Sequence, residues 1–155
     1  MKIHVNRVPE TGVSNRASYD PSTMDMERPD IHLREPFDVE AFMALAEKEL
    51  VVRAGIHCPL VMTCARCLEE FPSTIRSDAV FSYTVQPTDV VDITEDLRQE
   101  IILAYPMVPL CRPECKGLCR SCGQNLNTAS CSHHAAVPGG GTGTADIGRQ
   151  HTTKD

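Results

Sequence analysis

Eight cysteines in 155 residues are the side chains here most able to do chemistry, and seven of them fall into patterns. Cys64-Ala65-Arg66-Cys67 and Cys119-Arg120-Ser121-Cys122 are CxxC pairs, Cys111 and Cys115 lie four apart, and Cys131-Ser132-His133 adds a thiol and an imidazole. A CxxC turn sets two thiolates on one side of an ion and aims its amides at sulfur, and Zn2+ takes four such ligands in a tetrahedron with sulfur at about 2.3 Å. Cys64, Cys67, Cys111, Cys115, Cys119, Cys122, Cys131 and His133 make eight ligands, so one or two zinc ions are expected. The preferred pairing places Cys64, Cys67, Cys111 and Cys115 on one ion and Cys119, Cys122, Cys131 and His133 on the other. A rival pairing joins Cys111, Cys115, Cys119 and Cys122 and leaves Cys64 and Cys67 aside; spacing does not choose between them. His133 is preferred over His134 for its spacing from Cys131, and the solitary Cys58 reads as a structural thiol. Gly123 follows the second CxxC where positive φ is often needed, whereas Leu68 holds that place after the first.

Other chemistries find less support. No GxSxG, P-loop or HExxH pattern occurs. Asp92, Glu95 and Asp96 are better explained as partners of a helix start than as catalytic acids. No enzymatic activity and no small-molecule substrate are therefore expected. The basic start of the chain is followed by no apolar stretch, and no segment is long and apolar enough for a membrane helix, so a cytoplasmic protein with no membrane partner is expected. In a reducing compartment paired cysteines favour metal over disulfide. The net charge of -6 argues against a protein that coats nucleic acid indiscriminately, while leaving room for a local basic patch. Arg112, Lys116 and Arg120, joined by Arg66 if the first two cysteine pairs share an ion, are the candidate cations for RNA or a protein partner.

The elements that must hold these ligands are thin in core material: 41% of residues are hydrophobic, 5% aromatic, and none is Trp. Metal often supplements such a core. Residues 1–35 read as an irregular arm with an edge strand around Ile3, residues 36–134 as the zinc-binding domain, and residues 135–155, rich in glycine, as a disordered tail. Within the domain, residues 40–50 carry strong helix formers, and local pattern prefers a helix there, although Val39, Ala41, Met43 and Leu45 also alternate as a strand would. Phe71, Ile75, Ala79, Phe81, Tyr83 and Val85 share one parity and predict a half-buried strand. A helix over about 92–104 follows, with Asp92 and Glu95 as a capping box and Ile93, Leu97, Ile101 and Ala104 along its buried face. The fold class is α+β: a small, mostly antiparallel sheet with one main helix and a C-terminal cysteine-rich zinc knuckle.

Three motifs in order then resemble one family. Cys64-Ala65-Arg66-Cys67-Leu68-Glu69, the helix sequence from Leu97 to Pro106, and the cysteine signature from Cys111 through Asn127 are similar to elements of the YceD-like family, the large ribosomal RNA subunit accumulation proteins. The resemblance implies a bacterial or plastid protein supporting large-subunit ribosomal RNA accumulation, with no established enzymatic activity. It implies strands across residues 39–63, against the local helix preference. Many relatives end the signature with Cys-x-Cys where this chain has Cys131-Ser132-His133; histidine is an accepted zinc ligand. The expected partner is a large-subunit ribosomal RNA precursor or an assembly intermediate. The alternatives are a thiol redox protein using a CxxC pair and a structural zinc module that recruits a protein partner.

Overall fold

The computed structural model describes residues 1–134, so the tail expected over 135–155 lies outside the described residues. Its centre is a long antiparallel hairpin. Strand β5 (Glu49–Thr63) pairs along its whole length with β6 (Glu70–Thr84). The other edge of β5 carries β4 (Phe37–Ala46) and then, further along, β3 (Ile31–His32), with β2 (Val13–Tyr19) outside β4. A separate two-stranded ribbon joins β1 (Lys2–His4) to β7 (Val90–Asp92).

Period-two patterning drives this arrangement. Leu50, Val52, Ala54, Ile56, Cys58, Leu60 and Met62 are buried on one face of β5, matched by Phe37, Val39, Ala41 and Met43 on β4. Residues 40–50 are therefore strand and turn, and the local helix preference is corrected in favour of what the resemblance implies. In a helix, alternate residues project about 200° apart, and Val39, Ala41 and Met43 would leave the core. The β4–β5 turn is Glu47-Lys48, with Glu47 at φ 53°. The parity read for residues 71–85 holds, with Ile75, Ala79 and Val85 buried.

Helix α1 (Thr94–Leu103) lies on the inner face and buries Leu97 and Ile101 completely. Two bonds fix it to β6: the Ser77 hydroxyl donates to Glu100 Oε1 at 2.6 Å and the Tyr83 hydroxyl to Asp96 Oδ2 at 2.5 Å. The expected capping box does not form. Asp92 accepts from the Thr94 amide at 3.1 Å, one residue before the cap position held by Ile93, and Glu95 turns to Arg98. Ala104 is exposed, and Tyr105 replaces it in the core, donating its hydroxyl to the Met26 carbonyl at 2.9 Å. The polar stretch of residues 12–28, expected to be irregular, supplies the edge strand β2 and the buried Met24 and Met26. Its alternation was illegible because every residue of β2 is exposed or only half-buried. Among the described residues no helix is long and apolar enough to cross a membrane.

Candidate metal centres

The two CxxC segments fold into the same turn. The first is the β5–β6 connection: the Cys64 amide donates to the Glu69 carbonyl at 2.9 Å and the Leu68 amide to the Cys64 carbonyl at 2.9 Å. The second repeats both bonds, Cys119 amide to Gln124 carbonyl at 2.8 Å and Gly123 amide to Cys119 carbonyl at 2.9 Å. The fifth residue is left-handed in each, Leu68 at φ 58° and Gly123 at φ 72°. Leucine thus adopts the conformation that glycine takes without strain, a cost of about 1–2 kcal/mol that the surrounding turn must hold in place.

After α1 the chain returns to the first turn. The Ala65 amide donates to the Pro109 carbonyl at 2.8 Å, and Leu110 and Phe71 pack against the buried Cys64, Cys67 and Cys115. The ligand atoms of Cys64, Cys67, Cys111 and Cys115 all lie within 4.8 Å of one another, and those of Cys119, Cys122, Cys131 and His133 do the same. These are the groups of the preferred pairing; the rival grouping is not brought together. His134 is outside both.

The distances fit a metal better than a disulfide. Cys64 and Cys115 sulfurs are 3.8 Å apart, as are those of Cys67 and Cys111. A tetrahedron with metal–sulfur bonds of about 2.3 Å has edges of about 3.8 Å, whereas a disulfide needs about 2.05 Å. The surroundings also suit thiolate. Burial works against ionising Cys64, but amides of Cys111, Cys67 and Arg66 aimed at its sulfur outweigh it and bring its pKa down to about 6. At Cys119 the amides of Cys122 and Ser121 lower it to about 6. At Cys115 burial is again opposed, by the Asn127 side-chain amide at 3.3 Å and the Gly117 amide, and the net direction is down. Burial pushes Cys111 up to about 12, so these four crowded thiols do not all ionise unless a cation joins them. Cys58, buried in the sheet core and remote from both groups, is pushed up to about 11 and stays a neutral thiol. Both groups could hold a metal ion.

The candidate cations separate. Arg66 donates to the carbonyls of Cys115 at 3.0 Å and Pro113 at 3.4 Å, so it braces the first centre. Arg112 lies 3.8 Å from Glu114. Lys116 and Arg120 are exposed, with no side-chain partner among the described residues.

Several positioning residues went unassigned by sequence reasoning. Asn127 grips both the Cys115 sulfur and the Lys116 amide, the latter at 2.9 Å, and Asn125 donates to Glu69 at 2.8 Å, tying the second turn to the first. Both stand in the cysteine signature, where only the thiols announce a role. Gly117, at φ 75°, lets the Leu118 amide reach the Arg66 carbonyl at 3.0 Å; a Cβ there would fall 2.9 Å from that oxygen. Gly117→Ala is expected to cost about 1–3 kcal/mol. Gly123→Ala, whose Cβ meets nothing within 4 Å, should cost only the left-handed penalty of about 1 kcal/mol. Urea denaturation of the two variants checks the order; equal losses would show that the approach to Arg66 does not matter.

Known proteins share much of this part of the chain. The family model for large ribosomal RNA subunit accumulation protein YceD matches residues 78–139. An uncharacterized protein of Mycobacterium tuberculosis is 31% identical over 116 residues, 64% of this chain and 56% of the relative. One from Mycobacterium leprae is 29% identical over 107 residues, 59% of this chain and 49% of the relative. A chloroplastic maize protein, large ribosomal RNA subunit accumulation protein YCED homolog 1, is 48% identical over 40 residues, 26% of this chain and 14% of the homolog. The chain thus spans about half the length of the mycobacterial relatives. No solved structure matches it.

Proposed function

The family model and the maize homolog support a YceD-like assignment for this chain, and on that premise we propose that it is a non-enzymatic, zinc-binding, cytoplasmic protein that supports the accumulation of large-subunit ribosomal RNA by binding the precursor or an assembly intermediate. The observation that carries this reading is the convergence of eight soft ligands into two four-ligand groups, with all but Cys64 and Cys67 inside the segment matched to the family. Zinc is the ion this ligand chemistry suits: four thiolates, or three thiolates and an imidazole, close a tetrahedron and leave no position open for a substrate. In this account the metal fixes shape, and the fixed shape meets RNA or a ribosomal protein with little ordering cost. Lys116 and Arg120 are the cations the second turn offers.

A thiol redox role is supported less well. Each CxxC lies in a hairpin-like turn closed by its own backbone bonds, not at the start of a helix in a βαβ unit.

The test is capture. A tagged chain, crosslinked in cells and purified, is expected to bring down large-subunit precursor RNA, with two zinc ions per chain by elemental analysis. Reversing the charge of Arg112, Lys116 and Arg120 together should reduce capture at matched salt. Recovery of that RNA no better than a tag-only control would remove the reading; undiminished capture by the charge-reversed variant would remove the patch alone.

A further inference from the structure

Gly55 sits in the middle of β5, with β4 on one side and β6 on the other. Glycine costs stability at such a position, and a mid-strand glycine often marks a close approach by something else. Nothing among the described residues asks for it. Its φ is not left-handed, and an added Cβ would meet only Asp78 Oδ1 at 3.5 Å and the Glu40 carbonyl at 3.9 Å, ordinary contacts. The residue is spared a side chain on the face of the sheet away from the helix.

That face carries three arginines, Arg16, Arg53 and Arg76, set among three carboxylates, Asp38, Glu40 and Asp78. The register places Arg53 one pleat along from Gly55 beside Phe42 and Val80, and His57 one pleat the other way beside Asp38 and Arg76. Two adjoining open hollows, of about 600 Å³ and 450 Å³, share Gly55, Arg16 and Glu40. Of the carboxylates there, Asp38 and Glu40 are both engaged by Arg16, at 3.1 Å and 3.4 Å. Arg53 and Arg76 are exposed, with no carboxylate or carbonyl partner among the described residues. The Phe42 ring, seated over Gly12, remains 43% exposed at the rim.

We propose that this outer sheet face binds single-stranded RNA, with an unstacked base lodged over Gly55 against Phe42, and Arg53 and Arg76 on the flanking phosphates. The inference rests on the reading of the chain as a ribosomal RNA-binding protein and adds the surface. Single-stranded RNA is recognised by aromatic or guanidinium stacking and cations along the backbone; this face offers an open hollow that reaches both Gly55 and Phe42, and two guanidiniums free to meet phosphate. Asp78, the carboxylate not engaged by Arg16, can accept from an exocyclic amino group of the base.

Fluorescence anisotropy of the zinc-loaded full chain with a labelled single-stranded RNA oligonucleotide tests this. Gly55→Val should melt at or above the native temperature, because a β-branched residue suits the strand, yet bind about tenfold more weakly or worse. Arg53→Ala/Arg76→Ala, changed only at exposed positions, should weaken binding similarly. Its plot of log affinity against log salt should be shallower by about 1.4, two phosphate contacts at about 0.7 each. A native chain that binds while both variants match it would overturn this surface and leave the RNA reading standing. The surface falls in the same way if only Lys116→Glu/Arg120→Glu weakens binding. A native chain that binds no RNA removes both this surface and the direct RNA contact on which it rests.

Discussion

Cys64→Ser/Cys115→Ser, or complete chelation of a reduced sample, is expected to destabilise the described body by more than about 3 kcal/mol, a drop of roughly 10 °C or more in Tm. The first centre ties the tip of the β5–β6 hairpin to the chain that follows α1, across sequence separations of 44 and 51 residues. Among the described residues the other contacts that make that connection are the Ala65–Pro109 bond, the Arg66 bonds to Cys115 and Pro113, the Leu118 amide to the Arg66 carbonyl, Asn125 to Glu69, and packing by Phe71 and Leu110. Structural zinc contributes apparent free energies of about 10–16 kcal/mol in finger peptides, comparable with the whole stability of an ordinary domain at about 5–15 kcal/mol. Without the ion, the thiols held within 4.8 Å must either crowd as anions or take up protons against the amides aimed at Cys64 and Cys115. Cys58→Ala is the matched control. Its thiol is buried and protonated away from both groups, so it should lose only packing, about 1–2 kcal/mol, with zinc content unchanged. Differential scanning calorimetry with zinc analysis decides: a metal-free, reduced chain melting with the native one would show that sulfur does not hold this fold.

How much of this was legible beforehand depended on whether a residue's role is written in its own chemistry. The cysteines and His133 announced themselves because thiols at such spacings have few other uses, and the groups the fold assembles are those of the preferred pairing. The strand β6 was legible because one of its faces is wet, which leaves a period of two. Residues 40–50 were not, because Glu, Ala, Leu and Lys favour a helix until a neighbouring strand buries alternate positions, and that neighbour is visible only in three dimensions. Asn125, Asn127 and Gly117 act through another residue's sulfur or backbone, so no pattern of their own marked them. Gly55 is the hardest kind to read. Its meaning lies in what is missing next to it, and the arginines that flank it come from two different strands, brought side by side only by the pairing of β5 with β6.

The second centre should behave unlike the first, and the reason is where its ligands sit. Cys64, Cys67 and Cys115 are buried and Cys111 half-buried, whereas in the second group only Cys119 is buried, Cys131 is half-buried, and Cys122 and His133 are exposed. A chelator could reach an ion held by the second group directly; at the first it would have to wait for the turn and the returning chain to open. The second group is also peripheral to the core: Asn125 to Glu69, the Leu118 amide to the Arg66 carbonyl and Asn127 to the Cys115 sulfur are the bonds from its loop to the first turn and centre, and no residue of the main core belongs to it. Zinc release to a chromogenic chelator is therefore expected in two phases of equal amplitude, the faster at least about tenfold quicker. His133→Ala should abolish the fast phase, lower the metal content from two ions to one, and cost the body less than about 1 kcal/mol, the range of a change remote from the core. Cys115→Ser should instead lower Tm sharply. Were both ions to leave in one phase, or His133→Ala to melt as low as Cys115→Ser, the two centres would be a single cooperative unit, and the division between a buried staple and an exposed, exchangeable site would fall.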